Sequence, residues 1–116
     1  MSLSAEYAKQ APRSVLELDP QAGQFTGRVA LITGAGRGAG RAHARLLAAR
    51  GAAVVVNDID EDVAQATAAE IREAGGKAIA LAADITRRAA AEELIRQTVA
   101  QLGQLDILVH NAGMIY

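Results

Sequence analysis

The run Val29-Ala-Leu-Ile-Thr33-Gly34-Ala-Gly36-Arg37-Gly38-Ala39-Gly40-Arg41 constrains this chain more than any other segment. It joins a short apolar strand to a glycine-dense turn and then to an amphipathic helix. Glycines at 34, 36, 38 and 40 let the backbone turn through positive φ and approach a ligand closely, while the start of a helix presents N–H groups that have no partner inside the helix. Together these make a cradle for the pyrophosphate of a dinucleotide. The next apolar strand ends at Asp58, where a carboxylate accepts hydrogen bonds from the hydroxyls of an adenosine ribose.

From Arg28 onward strands and helices alternate. Val29 to Thr33 reads as a strand, and residues 38–50 as a helix with Ala39, Ala42, Leu46 and Leu47 on one stripe, ended by Gly51. Ala53 to Asn57 is a β-branched strand of the fully buried kind. A helix from Glu61 to Ala74 follows, with Val63, Ala66 and Ile71 facing inward and Gly75-Gly76 as its stop. The third unit has strand Ala78 to Ala82, a loop through Asp84, and a helix from Arg88 to Leu102 that buries Ala91, Leu94, Ile95, Val99 and Leu102 before Gly103. A fourth strand, Asp106 to His110, runs into Asn111-Ala112-Gly113.

Continuous apolar strands alternating with helices imply a parallel sheet covered on both faces, and right-handed crossovers make it doubly wound. The expected fold class is therefore α/β, a doubly wound parallel sheet of the Rossmann type with strand order 3-2-1-4. Its ligand crevice lies between the first and fourth strands, the topological switch point. Residues 1–26 hold both prolines and only scattered apolar positions, and are read as an N-terminal extension with a short helix near Ala5 to Ala11; residues 27–116 form the domain. The fourth strand would be an exposed apolar edge in a chain ending at Tyr116, so further chain is expected beyond it.

Composition removes other classes. The formal charge is −1 with acids and bases interspersed, which gives no footprint for nucleic acid or a membrane surface. No cysteine is present, excluding disulfides, thiolate metal sites and cysteine nucleophiles, and a cytoplasmic location is expected. No His, Asp and Glu group has metal-ligand spacing, and His43 and His110 read as surface or structural residues.

Thr33-Gly34-x-x-x-Gly38-x-Gly40 with Asn111-Ala112-Gly113 resembles the short-chain dehydrogenase/reductase family, from about Gly27 to Gly113. The resemblance implies that Gly34 makes the tight turn, that Gly38 and Ala39 offer backbone to the pyrophosphate, and that Gly40 packs the helix on the sheet. It implies that Asp58 binds the adenosine ribose, although a helix-capping role competes for it, with Asp60 better placed for the cap. Ile59 adds no basic counterweight. Arg37 stands where relatives that use NADP carry a basic residue, and can reach a 2′-phosphate or pair with an acid. Two like charges at ~4 Å and an effective dielectric of ~20 repel by roughly 4 kcal/mol, so Asp58 favours NAD over NADP.

By the same resemblance Asp84 reaches the adenine amino group and Ile85 supports the ring, the alternative being a turn acid that starts the next helix. Asn111, Ala112 and Gly113 brace the sheet and line the ribose. Most relatives carry a second Asn where this chain has His110. The family's catalytic Ser and Tyr-x-x-x-Lys are absent: no serine follows Ser14, and Tyr116 is the last residue. The expectation is the cofactor-binding, N-terminal portion of an enzyme that moves hydride between NAD and a secondary alcohol or ketone. That enzyme is expected to be a homo-oligomer, and the 116-residue piece alone inactive. Two other readings stand beside it: a non-catalytic nucleotide-binding or scaffold protein of the same fold, and a Rossmann-like methyltransferase, against which Thr33-Gly34 and Asn111-Ala112-Gly113 argue.

Overall fold

The computed structural model describes residues 23–111. The helix expected near Ala5 to Ala11 and the residues Ala112, Gly113 and Tyr116 lie outside them. The described chain runs β1 (Val29–Ile32), α1 (Gly38–Ala49), β2 (Ala53–Asp58), α2 (Glu61–Glu73), β3 (Lys77–Ala82), α3 (Arg88–Leu102) and β4 (Ile107–Val109). The four strands form one parallel sheet in the order β3-β2-β1-β4. That is the order expected from the alternating pattern, with the reversal of strand order between β1 and β4.

Register explains how the two faces are filled. Side chains of neighbouring parallel strands that sit side by side share a face. Ala30, Ile32, Val54, Val56 and Ala78 therefore point together to one side, where they meet Ala44 and Ala48 of α1 and Ala64, Ala68 and Ile71 of α2. Leu31 and Val55 point to the other side and meet Leu94 of α3, with Ile79, Leu81 and Leu102 around them. Both helices on the first face touch the sheet through alanine rows four residues apart, so their backbones come in close.

Those rows correct three expectations about helix faces. In α1 the buried residues are Gly40, Ala44 and Ala48, whereas Ala39 and Ala42 are exposed and Leu46 and Leu47 are half-buried at the flank. In α2, Ala64, Thr67, Ala68 and Ile71 are buried and Ala66 is exposed. In α3, Leu94 and Thr98 are buried while Ile95 and Val99 are exposed. In α1 and α2 the alanine rows permit a close approach to the sheet, whereas in α3 the width of the covered face leaves Ile95 and Val99 outside it. Leu108 of β4, level with Leu31 on the α3 face, is also exposed, because α3 packs over β1 to β3.

Cross-links hold the ends of the sheet. Asp106 accepts the Val29 N–H at 2.8 Å, fixing the start of β4 to β1, and this bond, with that from Gln104, holds its carboxyl below the usual range. Buried Asn57 donates its side-chain amide to Leu81 O at 2.9 Å, tying β2 to β3. Phe25 donates its N–H to Arg50 O at 2.9 Å and packs its ring against the first core cluster. Among the described residues, no helix is long and apolar enough to cross a membrane.

Candidate dinucleotide-binding site

The site stands at the C-terminal ends of β1, β2 and β4, and its shape follows from the glycine turn. Thr33 leaves β1 with its N–H donated to Val109 O at 3.0 Å, and its hydroxyl accepts the Asn111 N–H at 2.8 Å. One threonine thus joins the ends of the two strands that flank the switch point. His110 Nδ1 lies 3.5 Å from the same hydroxyl, so the residue that departs from the usual family pattern still sits within this junction. His43 is exposed on α1.

The turn then crosses toward β2. Ala35 donates its N–H to Asn57 O at 2.7 Å, and the Gly36 N–H donates to Asp58 Oδ2 at 3.2 Å. Thr67 reaches up from α2 and donates its hydroxyl to Gly36 O at 3.0 Å. The Gly36 peptide is therefore held from both sides. A Cβ at this residue would fall 2.2 Å from Val63 Cγ1 and 2.8 Å from Asp58 Oδ2, so only glycine fits between the turn and the acid.

At Gly40 the requirement is close approach instead. A Cβ there would meet Gly34 O at 2.2 Å and the Asn111 amide nitrogen at 2.8 Å. Gly38 differs from both, since its φ is +60° and nothing lies within 4 Å of the position a Cβ would take. Its backbone faces open space at the first residue of α1. Arg37 precedes it in extended conformation as N-cap, without a side-chain capping bond, and no acidic residue stands in the first turn of α1. The first helical amide bond there runs from Arg41 N to Arg37 O at 3.3 Å. The N–H groups of Gly38, Ala39 and Gly40 precede it, at the positive end of the helix dipole.

Asp58 is 7% exposed at the end of β2. Besides the Gly36 amide on Oδ2, it takes the Asp60 N–H on Oδ1 at 3.1 Å. A carboxylate holds about four acceptor positions, so two bonds leave capacity for a ligand while fixing its orientation. Ile59 beside it is exposed. Asp60 is the residue that caps α2, accepting the N–H groups of Asp62 and Val63 at 3.0 and 3.3 Å. The cap and the strand-end acid are thus two separate residues.

Asp84 lies beyond β3, half-buried. Its Oδ1 accepts both the Thr86 hydroxyl at 2.6 Å and the Thr86 N–H at 3.0 Å, and these bonds, the hydroxyl's first, hold the carboxyl below its ordinary value. Asp84 thus closes a turn with Thr86 ahead of α3, without capping that helix, and Ile85 packs at the edge of the second core cluster. Arg41 is committed elsewhere: its guanidinium pairs with Glu70, Nε to Oε1 at 2.9 Å, linking α1 to α2. Those hydrogen bonds are the main reason that the Glu70 carboxyl lies low. Thr67 and Asn57 stand outside the motifs that the sequence marks, whereas Thr33 opens one of them. A polar residue inside an apolar stripe, as Thr67 is in α2, was the signal available.

Parallel sheet, switch point, glycine turn, uncapped helix start and strand-end acid define a Rossmann nucleotide-binding domain. Comparison with known proteins takes this one step further. The family model described as short chain dehydrogenase matches residues 28–116, and the chain belongs to that family. A hydroxyacyl-CoA dehydrogenase of Mycobacterium tuberculosis is 44% identical over 112 residues, covering 92% of this chain and 33% of that protein. A cis-4-hydroxycyclohexanecarboxylate dehydrogenase of Sinomonas cyclohexanicum is 46% identical over 93 residues, 78% of this chain and 36% of the other. Among solved structures, a hydroxysteroid dehydrogenase from Escherichia coli superposes with a TM-score of 0.77 at 41% identity, over 82% of this chain and 40% of that one. The chain spans about a third of the length of the curated relatives it matches.

Proposed function

We propose that this chain forms the adenosine half of the cofactor site of an NAD-dependent oxidoreductase acting on secondary alcohols or ketones. The observation that carries the reading is the contact between Gly36 N–H and Asp58 Oδ2, which sets a ribose-binding acid against the turn that opens α1. When bound, the nicotinamide supplies the hydride chemistry. The chain's own residues do the holding. Backbone at Gly38, Ala39 and Gly40 would meet the pyrophosphate, and Gly34 would shape the turn. Asp58 would accept the ribose hydroxyls, and exposed Ile59 would give the base an apolar neighbour. Asp84, Ile85 and the segment Asn111, Ala112 and Gly113 would complete the adenosine side.

NAD is preferred over NADP in this reading because buried, oriented Asp58 opposes a 2′-phosphate. The relatives named above act on hydroxy compounds, which supports an alcohol or ketone substrate. The same reading has the full-length enzyme as a cytoplasmic homo-oligomer, with the exposed apolar residues Ile95, Val99 and Leu108 as surface to be covered. It has residues 1–26 as an extension to the domain of residues 27–116.

The test is a fluorescence titration of this chain with NADH and NADPH, followed by NAD-linked oxidation of a panel of secondary alcohols by the full-length enzyme. Tighter binding of NADH and turnover of at least one alcohol are expected. Failure to bind either dinucleotide would refute the reading.

A further inference from the structure

Two charged side chains beside the glycine turn, Arg37 and the α2 cap Asp60, hold no part of the cofactor in the reading above. Arg37 is the N-cap residue of α1, its side chain 69% exposed, and its Nη2 stands 3.8 Å from Asp60 Oδ2. Asp60 cannot swing freely. Its Oδ1 is held by the N–H groups of Asp62 and Val63, and its own N–H is donated to Asp58 Oδ1. Backbone therefore orients this carboxylate, and its second oxygen faces the glycine turn.

We propose that Asp60 is a specificity-determining residue: by pairing with Arg37 it withholds the guanidinium of the glycine turn from a nucleotide 2′-phosphate. This rests on the reading that the crevice binds a nicotinamide dinucleotide. A guanidinium is the side chain best matched to a phosphate, because its fork donates two parallel hydrogen bonds. Standing in the turn that opens α1, Arg37 would offset the repulsion from Asp58 if nothing held it. The Asp60 carboxylate, already committed to capping α2, attracts it across 3.8 Å, so the helix start that stabilises the fold also biases cofactor choice. Discrimination then has two layers, a buried acid that repels the 2′-phosphate and a capping acid that removes its counter-ion.

An exposed pair of this kind changes an equilibrium by about fivefold at most, so the effect is a modest one. The experiment is a cycle of Asp60→Asn, Arg37→Gln and both together in the full chain, each titrated with NADH and NADPH by fluorescence. Asparagine caps a helix about as well as aspartate, so Asp60→Asn keeps the cap and removes the charge; equal thermal midpoints check this. Asp60→Asn is expected to raise the NADPH-to-NADH affinity ratio by about threefold to fivefold. In the Arg37→Gln background the same change is expected to leave that ratio unaltered. An unchanged ratio in Asp60→Asn overturns the inference, as does a rise that persists without Arg37, which would be direct repulsion by Asp60. Absence of NADH binding in the unsubstituted protein would instead overturn the reading beneath it.

Discussion

Helices α1 and α2 start at the C-terminal ends of neighbouring strands on the same face of the sheet, and their first turns are built in opposite ways. Asp60 caps α2 with two hydrogen bonds, and Glu61 and Asp62 place further negative charge in its first turn. The dipole of that helix is answered by the chain itself. α1 begins with Arg37 and a glycine at positive φ, has no side-chain cap and carries no acid in its first turn. A missing cap forgoes about 1 kcal/mol of stability. The difference is that the start of α2 is answered by the chain itself, whereas the start of α1 is left open, as the proposed pyrophosphate site requires. α3 also starts without a side-chain cap or an acid in its first turn, at Arg87, so what sets α1 apart is the glycine turn that precedes it and the Asp58 carboxylate bonded to that turn.

The comparison breaks most readily at Gly40. Gly40→Ala drives a methyl against Gly34 O, which is backbone and cannot turn aside. Overpacking of this kind costs about 1–3 kcal/mol, and α1 must move off the turn. NADH affinity should fall by about a hundredfold or more, a loss of ~3 kcal/mol, with a lower thermal midpoint. Retained affinity would mean that the approach of α1 to the turn is unimportant. Asp58→Ala comes next. It should weaken NADH binding and relax discrimination against NADPH by about tenfold to a hundredfold, as expected for removing a fixed like charge near the phosphate. An unchanged cofactor preference in the full-length variant would remove the ribose role.

Smaller changes sharpen the contrast. Arg37→Ser gives α1 the cap it lacks, since residue 37 already has the extended conformation of an N-cap. The protein without nucleotide should gain roughly 0.5–1 kcal/mol in urea unfolding while pyrophosphate binding weakens, because the serine hydroxyl then takes an N–H that the ligand uses. At α2 the sign reverses: Asp60→Ala should cost about 1 kcal/mol, and Asp60→Asn almost nothing. The smallest effect concerns Asp84, whose carboxyl is held low by the Thr86 hydroxyl. A folded-state value below the unfolded one contributes stability above the ordinary carboxylate range, and that contribution disappears as pH falls through the lowered value. Thr86→Val should move the Asp84 titration back up, followed by the carboxyl-carbon NMR shift; no movement would assign the depression elsewhere.

Much of this architecture is legible in the residues because it is local. The glycine turn, the strand-end Asp58, the capping Asp60 and the helix stops at Gly51, Gly75 and Gly103 lie beside the elements they punctuate. Strand order followed from handedness and the unbroken apolar strands. The helix faces were harder. An apolar period does not say whether alanine or leucine will meet the sheet, and the structure chose alanine in α1 and α2 for closeness. Ile95 and Val99 have the right spacing for burial, yet the width of the face that α3 covers decides their exposure, and spacing does not encode it. The clamps were illegible for another reason: Thr67 to Gly36, Thr33 to Asn111 and Asn57 to Leu81 each join residues far apart in the chain, so no single segment shows them.

The central claim, that the first turn of α1 is built for an anion and that of α2 is not, is tested most directly by amide NMR of the full chain during titration with NAD. The amides of Gly38, Ala39 and Gly40 should shift and become slower to exchange with solvent, while those of Asp62 and Val63, already bonded to Asp60, should stay where they are. Shifts confined to the start of α2, or no shift at the glycine turn at saturating NAD, would contradict the account.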